Sequence, residues 1–157
     1  MIKVFIGGSV SIKTLPAVVA ARVDKIIEKG LGILIGDAPG ADLIVQSYLT
    51  AKRYEDVVVF FARRCPLDRC RHNLGRWGTS PVDAPGLSGA SFHTVKDVEM
   101  AEQADYGLMI WDRKSPGTLN NIRNLVGRNK PVVVYLSPSR SFHTLRRPED
   151  LSAILDP

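Results

Sequence analysis

The sequence predicts an α/β fold, a doubly wound parallel sheet of five strands with helices on both faces. Three observations predict it. Five short runs are apolar without interruption: "KVFIG", "GILIG", "VVVFF", "GLMIW" and "PVVVYL". Such runs belong to strands buried on both faces. They alternate with segments whose apolar residues recur at helical spacing, and glycine-rich turns separate the two kinds.

Each element follows from its residues. Lys3 to Gly7 is the first strand, ended by Gly7-Gly8. Thr14 reads as an N-cap, with Pro16 in the first helical turn. Leu15, Val18, Val19, Val23, Ile26 and Ile27 then keep a helical period that Gly30 ends. Gly32 to Gly36 is the second strand. "APGADLIVQSYLTAKR" opens on Pro-Gly and continues as a helix with Ala41, Ile44, Val45, Tyr48 and Leu49 on one face. Val57 to Phe61 is the third strand.

Residues 62 to 91 carry many Arg, Gly, Pro and Ser and keep no period, so they read as a loop-rich excursion with a short helix around Leu67 to Leu74. From Thr94, "TVKDVEMAEQA" is a helix with Val95, Val98 and Ala101 inward. Gly107 to Trp111 is the fourth strand. "GTLNNIRNLVGRN" is a helix with Leu119, Ile122, Leu125 and Val126 inward, and "PVVVYL" is the fifth strand. A short helix starts near Pro148. Right-handed crossovers make the arrangement Rossmann-like, with strand order 3-2-1-4-5 expected.

The 157 residues make one domain, 1–157, with 45% hydrophobic content, ordinary for a protein with a core. The apolar runs are far shorter than the ~20 residues a bilayer span needs, so no membrane partner is expected. "MIKVFIGG" lacks the layout of a signal peptide, and a cytoplasmic location is the expectation. The formal charge of +5 suits anionic ligands without identifying one. Cys65 and Cys70, five apart without a second pair, read as free thiols. His72, His93 and His143 show no metal spacing, so no metal site is expected.

Chemistry is expected beyond the carboxyl ends of the strands, where the chain order reverses. Three loops meet that description: Gly7-Gly8-Ser9 after the first strand, "GDAPGAD" (Gly36, Asp37, Gly40, Asp42) after the second, and "DRKSPGT" (Asp112, Lys114, Ser115, Gly117, Thr118) after the fourth. A helix N-terminus offers unpaired N–H groups and partial positive charge. Glycine admits an anion close to the backbone, a hydroxyl adds a donor, and Lys114 adds charge, which together suit a phosphate. The plainer reading of Ser115 and Thr118 is helix capping. Asp37 and Asp42 repel phosphate and suit ribose hydroxyls, or simply a helix start.

The pattern "FIGGS…IGDAPGAD…KDVEMAEQADYGLMIWDRKSPGTLNNI…KPVVVYL" resembles the SLOG superfamily of Rossmann-like proteins, and within it the small YspA-type branch, over most of the chain outside residues 62 to 91. The superfamily includes the Lonely Guy phosphoribohydrolases and DNA-processing protein A. The resemblance implies a nucleotide-type ligand held at Gly7, Gly8, Ser9, Gly36, Gly40, Ser115, Gly117 and Thr118, and a homo-oligomer. The phosphoribohydrolases carry "PGGxGTxxE" and an Arg on the preceding helix. Here Asn121 stands at the Glu position and Lys96 at the Arg position. Asn121 is neutral and supplies no carboxylate to an oxocarbenium-like transition state, and Lys96 lacks the guanidinium fork. The resemblance therefore implies a retained cradle without the chemistry of the Lonely Guy phosphoribohydrolases. Asp112, Asp97 and Glu99 are the acids nearby, with Asp112 best placed at a strand's carboxyl end.

Trp111 reads as core. Trp77 is a base-stacking candidate should the excursion fold over the site, and Arg63, Arg64, Arg69 and Arg71 are surface residues or a phosphate clamp. The first functional reading is binding or sensing of a nucleotide-derived molecule. The second is a nucleoside-phosphate hydrolase or transferase using Asp112 or Asp97. The third, binding of single-stranded nucleic acid as in DNA-processing protein A, ranks last because aromatic and basic residues are not interleaved. No cofactor beyond such a nucleotide is implied, and nothing bears on Mg.

Overall fold

In a computed structural model describing residues 1–155, a seven-stranded sheet runs through the molecule in the order β4-β3-β2-β1-β5-β6-β7. The strands are β1 (Lys3–Gly8), β2 (Gly32–Gly36), β3 (Val57–Arg63), β4 (Gly78–Asp83), β5 (Tyr106–Trp111), β6 (Val132–Leu136) and β7 (Ser141–Leu145). The helices are α1 (Ala17–Glu28), α2 (Ala41–Ala51), α3 (Gly89–Gln103), α4 (Pro116–Gly127) and α5 (Ser152–Leu155), the last preceded by a 3₁₀ turn over Pro148–Leu151. All strand pairs are parallel except β6 with β7. The five apolar runs keep the expected order among themselves. Among the described residues no helix is long and apolar enough to cross a membrane.

Strand alternation divides the core into two layers. Val4, Ile6, Ile33, Ile35, Val57, Val59, Leu108 and Ile110 face α1 and α2, which contribute Val19, Val23, Ile26, Ala41, Val45 and Leu49. Phe5, Leu34, Phe60, Met109, Trp111 and Val134 face α3 and α4, which contribute Met100, Ala101, Ile122, Leu125 and Val126. The helices therefore cover both faces.

The sheet has seven strands, not five. β4 is "GTSPVD", exposed along most of its length, and Pro81 within it suits only an edge. Its partner is β3, and the register Arg63↔Asp83 closes with an ion pair of 2.6 Å. β7 lies at the opposite edge, where Leu145 is its one buried residue. Both additions are polar edge strands without an apolar run. No helix forms over Leu67 to Leu74.

Two helix starts also differ. α1 begins after Pro16 with no side-chain cap, so Thr14 is not its N-cap. α3 begins at Gly89 and buries Phe92, Lys96, Met100 and Ala101, while Val95 and Val98 are only half-buried. The i, i+4, i+8 row of Phe92, Lys96 and Met100 carries a lysine into the interior.

Candidate functional site

β1 and β5 are neighbours, and the chain winds away from them in opposite directions. The turns after parallel strands project from one sheet edge, so the fork between β1 and β5 opens there. Ser9 ties it together. Its amide donates to Ile110 O at 2.9 Å, and its carbonyl accepts from the Ala41 amide at 3.1 Å. Its hydroxyl accepts from the Asp112 amide at 3.1 Å and lies 3.3 Å from Thr118 Oγ1. Gly8 is needed beside it, because a Cβ there would stand 2.4 Å from Ile110 O and 2.8 Å from the Ala41 Cβ.

A cleft of about 400 Å³ opens at this fork, a volume suited to a small molecule. Of the residues singled out in the sequence, Gly7, Gly8, Ser9, Asp42, Lys96, Asp97, Ser115, Gly117, Thr118 and Asn121 line it. Gly36, Asp37, Gly40, Asp112 and Lys114 do not. Phe5 and Met100 make its apolar side, and Arg71 and His93 contribute from the excursion and α3.

The start of α4 faces this space. Pro116 occupies the first helical position, Ser115 precedes it without a side-chain cap, and the first-turn amides lack intrahelical acceptors. Asn121, one turn on, is 8% exposed, and its Oδ1 is buried without a hydrogen-bond partner. An orphaned buried acceptor is costly and marks a place for a donor. Trp111 holds the helix start from beneath, its Nε1 donating to Ser115 O at 3.0 Å.

Charges on the floor come from α2 and α3. Lys96 is 4% exposed, and its Nζ donates to Asp97 Oδ1 at 2.7 Å. Asp42 Oδ2 accepts from the Ala38 amide at 3.2 Å. A Cβ on Gly36 would meet Asp42 Oδ2 at 2.6 Å and Lys96 Nζ at 3.4 Å, so that glycine makes room for the pair. Burial pushes the Asp42 carboxyl up to about 7, against the pull of Lys96 and the Ala38 amide. Burial, with the positive charges of Arg71 and Lys96, moves the His93 imidazole below its ordinary value.

Asp112 is an organiser of its loop. Oδ1 accepts from the amides of Lys114 and Ser115, both at 2.8 Å. Oδ2 accepts from the hydroxyls of Ser11 at 2.7 Å and Ser115 at 3.0 Å. Burial raises this carboxyl, but the four hydrogen bonds outweigh it and hold it well below the usual range. It stays ionised and occupied, and it lies outside the cleft lining. Lys114 is exposed.

Asp37 points to the excursion instead, accepting from the Arg71 amide and guanidinium, each at 2.9 Å. Burial raises its carboxyl, and the bonds and charge of Arg71 more than reverse that. Gln46, fully buried, donates to Gly36 O and His72 O and accepts from the Leu74 amide, each at 3.0 Å, which staples the excursion to the end of β2. Trp77 is no base platform: its Nε1 donates to Tyr54 O at 2.8 Å and its ring packs on the α1/α2 layer.

Sequence reasoning weighed Arg71 only as a surface residue or a phosphate clamp, and it gave His93 no role at this site. Their only signal was Arg71's place in an Arg-rich run and His93's position three residues before Lys96. Among the described residues no group of three or more His, Cys, Asp or Glu is placed to hold a metal ion, and Cys65 and Cys70 are free. No family model, curated protein or solved structure matches this chain.

Proposed function

We propose that this chain is a Rossmann-like domain of the SLOG type that binds a nucleotide or nucleotide-derived molecule at the β1/β5 fork. The observation that carries the reading is the pairing of an open α4 N-terminus with the orphaned Asn121 Oδ1 in one cleft. The first wants an anion and the second a donor. A nucleotide carries both, the anion in its phosphate and the donor in a sugar hydroxyl or a base N–H. The apolar wall of Phe5 and Met100 suits a base or sugar face. Asn121 and the occupied Asp112 leave the binding role ahead of a catalytic one.

Thermal unfolding with AMP, ADP, NAD and linear or cyclic nucleotides tests this. A true ligand at about 100 times its Kd adds ~2.7 kcal/mol, which at this chain length raises Tm by roughly 5–10 °C. A flat response across the panel sinks the reading.

One observation favours a second reading, a nucleoside-phosphate hydrolase: Asp97 is a carboxylate lining the cleft. Release of free base from nucleoside monophosphates, abolished in Asp97→Asn, would establish it. Nucleotide binding without base release would leave the binding role alone.

A further inference from the structure

A second cavity of about 360 Å³ adjoins the first, and Arg71 and His93 line both. It lies beyond the carboxyl end of β3, between the excursion and α3. Three guanidinium groups, those of Arg64, Arg69 and Arg71, line it against two carboxylates, Asp37 and Asp68.

Both carboxylates are committed. Asp37 is 2% exposed and holds Arg71 through two bonds. Asp68 accepts from the Arg64 amide at 2.7 Å and from the Cys65 thiol at 3.7 Å.

The arginines retain donors. Arg64 is fixed in place, its guanidinium 4.0 Å above the Phe92 ring and its Nε donating to Leu87 O at 3.1 Å. Among the described residues its two terminal nitrogens have no hydrogen-bond acceptor. Among the described residues Arg69 has no ion-pair or hydrogen-bond partner. A guanidinium held by a ring and a carbonyl is preorganised to receive an oxyanion.

We propose that this cavity is a second anion subsite, its donors supplied by Arg64 and Arg69, and that the ligand is a nucleotide bearing a second, separated phosphate. One phosphate lies at the start of α4, the other beyond the Arg71/His93 wall. This rests on the nucleotide reading of the first cleft and extends it.

Inorganic phosphate is the probe that separates the two. Titrated at constant ionic strength into the ¹⁵N-labelled full chain, it is expected to move two sets of amide resonances. One set surrounds Gly117 and Thr118, the other Arg64, Arg69 and His93. Arg69→Ala should weaken the second response about tenfold, the loss of one charge-assisted contact, and leave the first unchanged. The linear dinucleotide pApA should shift both sets and AMP the first alone.

Movement at Gly117 and Thr118 only, or an Arg69→Ala effect equal at both places, overturns the second subsite and leaves the nucleotide reading standing. Movement around Arg69 only supports the subsite and overturns the reading of the first cleft. A dinucleotide that moves only the first set overturns the two-phosphate ligand.

Discussion

The starts of α2 and α4 look alike in sequence and behave differently in the fold. Both follow a buried strand, both open on Pro and Gly, and both reach the same sheet edge. The turn into α2 is closed by its own chain. The Ala41 amide donates to Ser9 O, the Ala38 amide to the Asp42 carboxylate, and Gly40, at φ +80°, is pressed against Val10. The turn into α4 is braced from behind by Asp112 and Trp111, and its front is open. A Cβ on Gly117 would meet nothing within 4 Å. A glycine turn before a helix is therefore an anion site only where the chain's own acceptors have not already taken its amides.

Substitutions at the two turns test that contrast. The largest effect is expected from Gly40→Ala. The positive φ costs about 1–3 kcal/mol, and a Cβ placed 2.4 Å from Val10 O adds roughly 1–3 more through overpacking. Tm should fall on the order of 10 °C. If it holds steady, the α2 turn is not the brace described.

Next comes the acid inside that brace. The folded Asp42 carboxyl sits near 7 against an ordinary 3.8, so between those values the folded chain binds a proton that the unfolded chain has released. Its contribution is complete below about pH 4 and is lost as pH rises through 7, up to about 4 kcal/mol. Asp37 works in the opposite direction, its carboxyl being lowered, so the readout is a difference. In urea unfolding, Asp42→Asn should gain on the wild-type chain between pH 4.5 and pH 8. Parallel pH profiles would remove Asp42 from the account.

Asp112→Ala should cost about 2 kcal/mol through lost charge-assisted bonds at a partly solvated loop. Hydrogen exchange at Lys114 and Ser115 should speed up while that at Ala41 stays as before. Exchange that rises equally at both turns would show that they are not independent. The smallest stability effect belongs to Gly117→Ala, within about 1 kcal/mol because alanine is the better helix former and meets nothing. It should nevertheless blunt the thermal response to nucleotides by crowding the approach to the α4 amides. An unchanged response would place the anion elsewhere.

Much of the scaffold was legible in the chain. Runs such as "GILIG" and "VVVFF" are buried on both sides and admit few other readings. The glycines at 7, 8 and 117 and the hydroxyls at 9 and 118 were legible as lining, because close backbone approach demands such residues. β4 and β7 were not legible. An edge strand meets water along one side, so it tolerates "GTSPVD" and "SFHTL", which look like loops. The rotation of α3 was hidden for a related reason. Val95 and Val98 suggested a face, but packing against β3 and α4 turned Phe92, Lys96 and Met100 inward.

The amino-acid order by itself determined the alternation of strands and helices, the two-sided core and the sheet edge at which the cleft opens. Those depend on local periodicity and on the handedness of crossovers, which act over short stretches of chain. Only the tertiary structure decided which carboxylate is occupied, which helix start stays open, and that Arg71 stands beside a cleft built from residues more than twenty positions away on either side. Hydrogen-bond saturation and burial are properties of what surrounds a group in space, and residue type alone does not carry them.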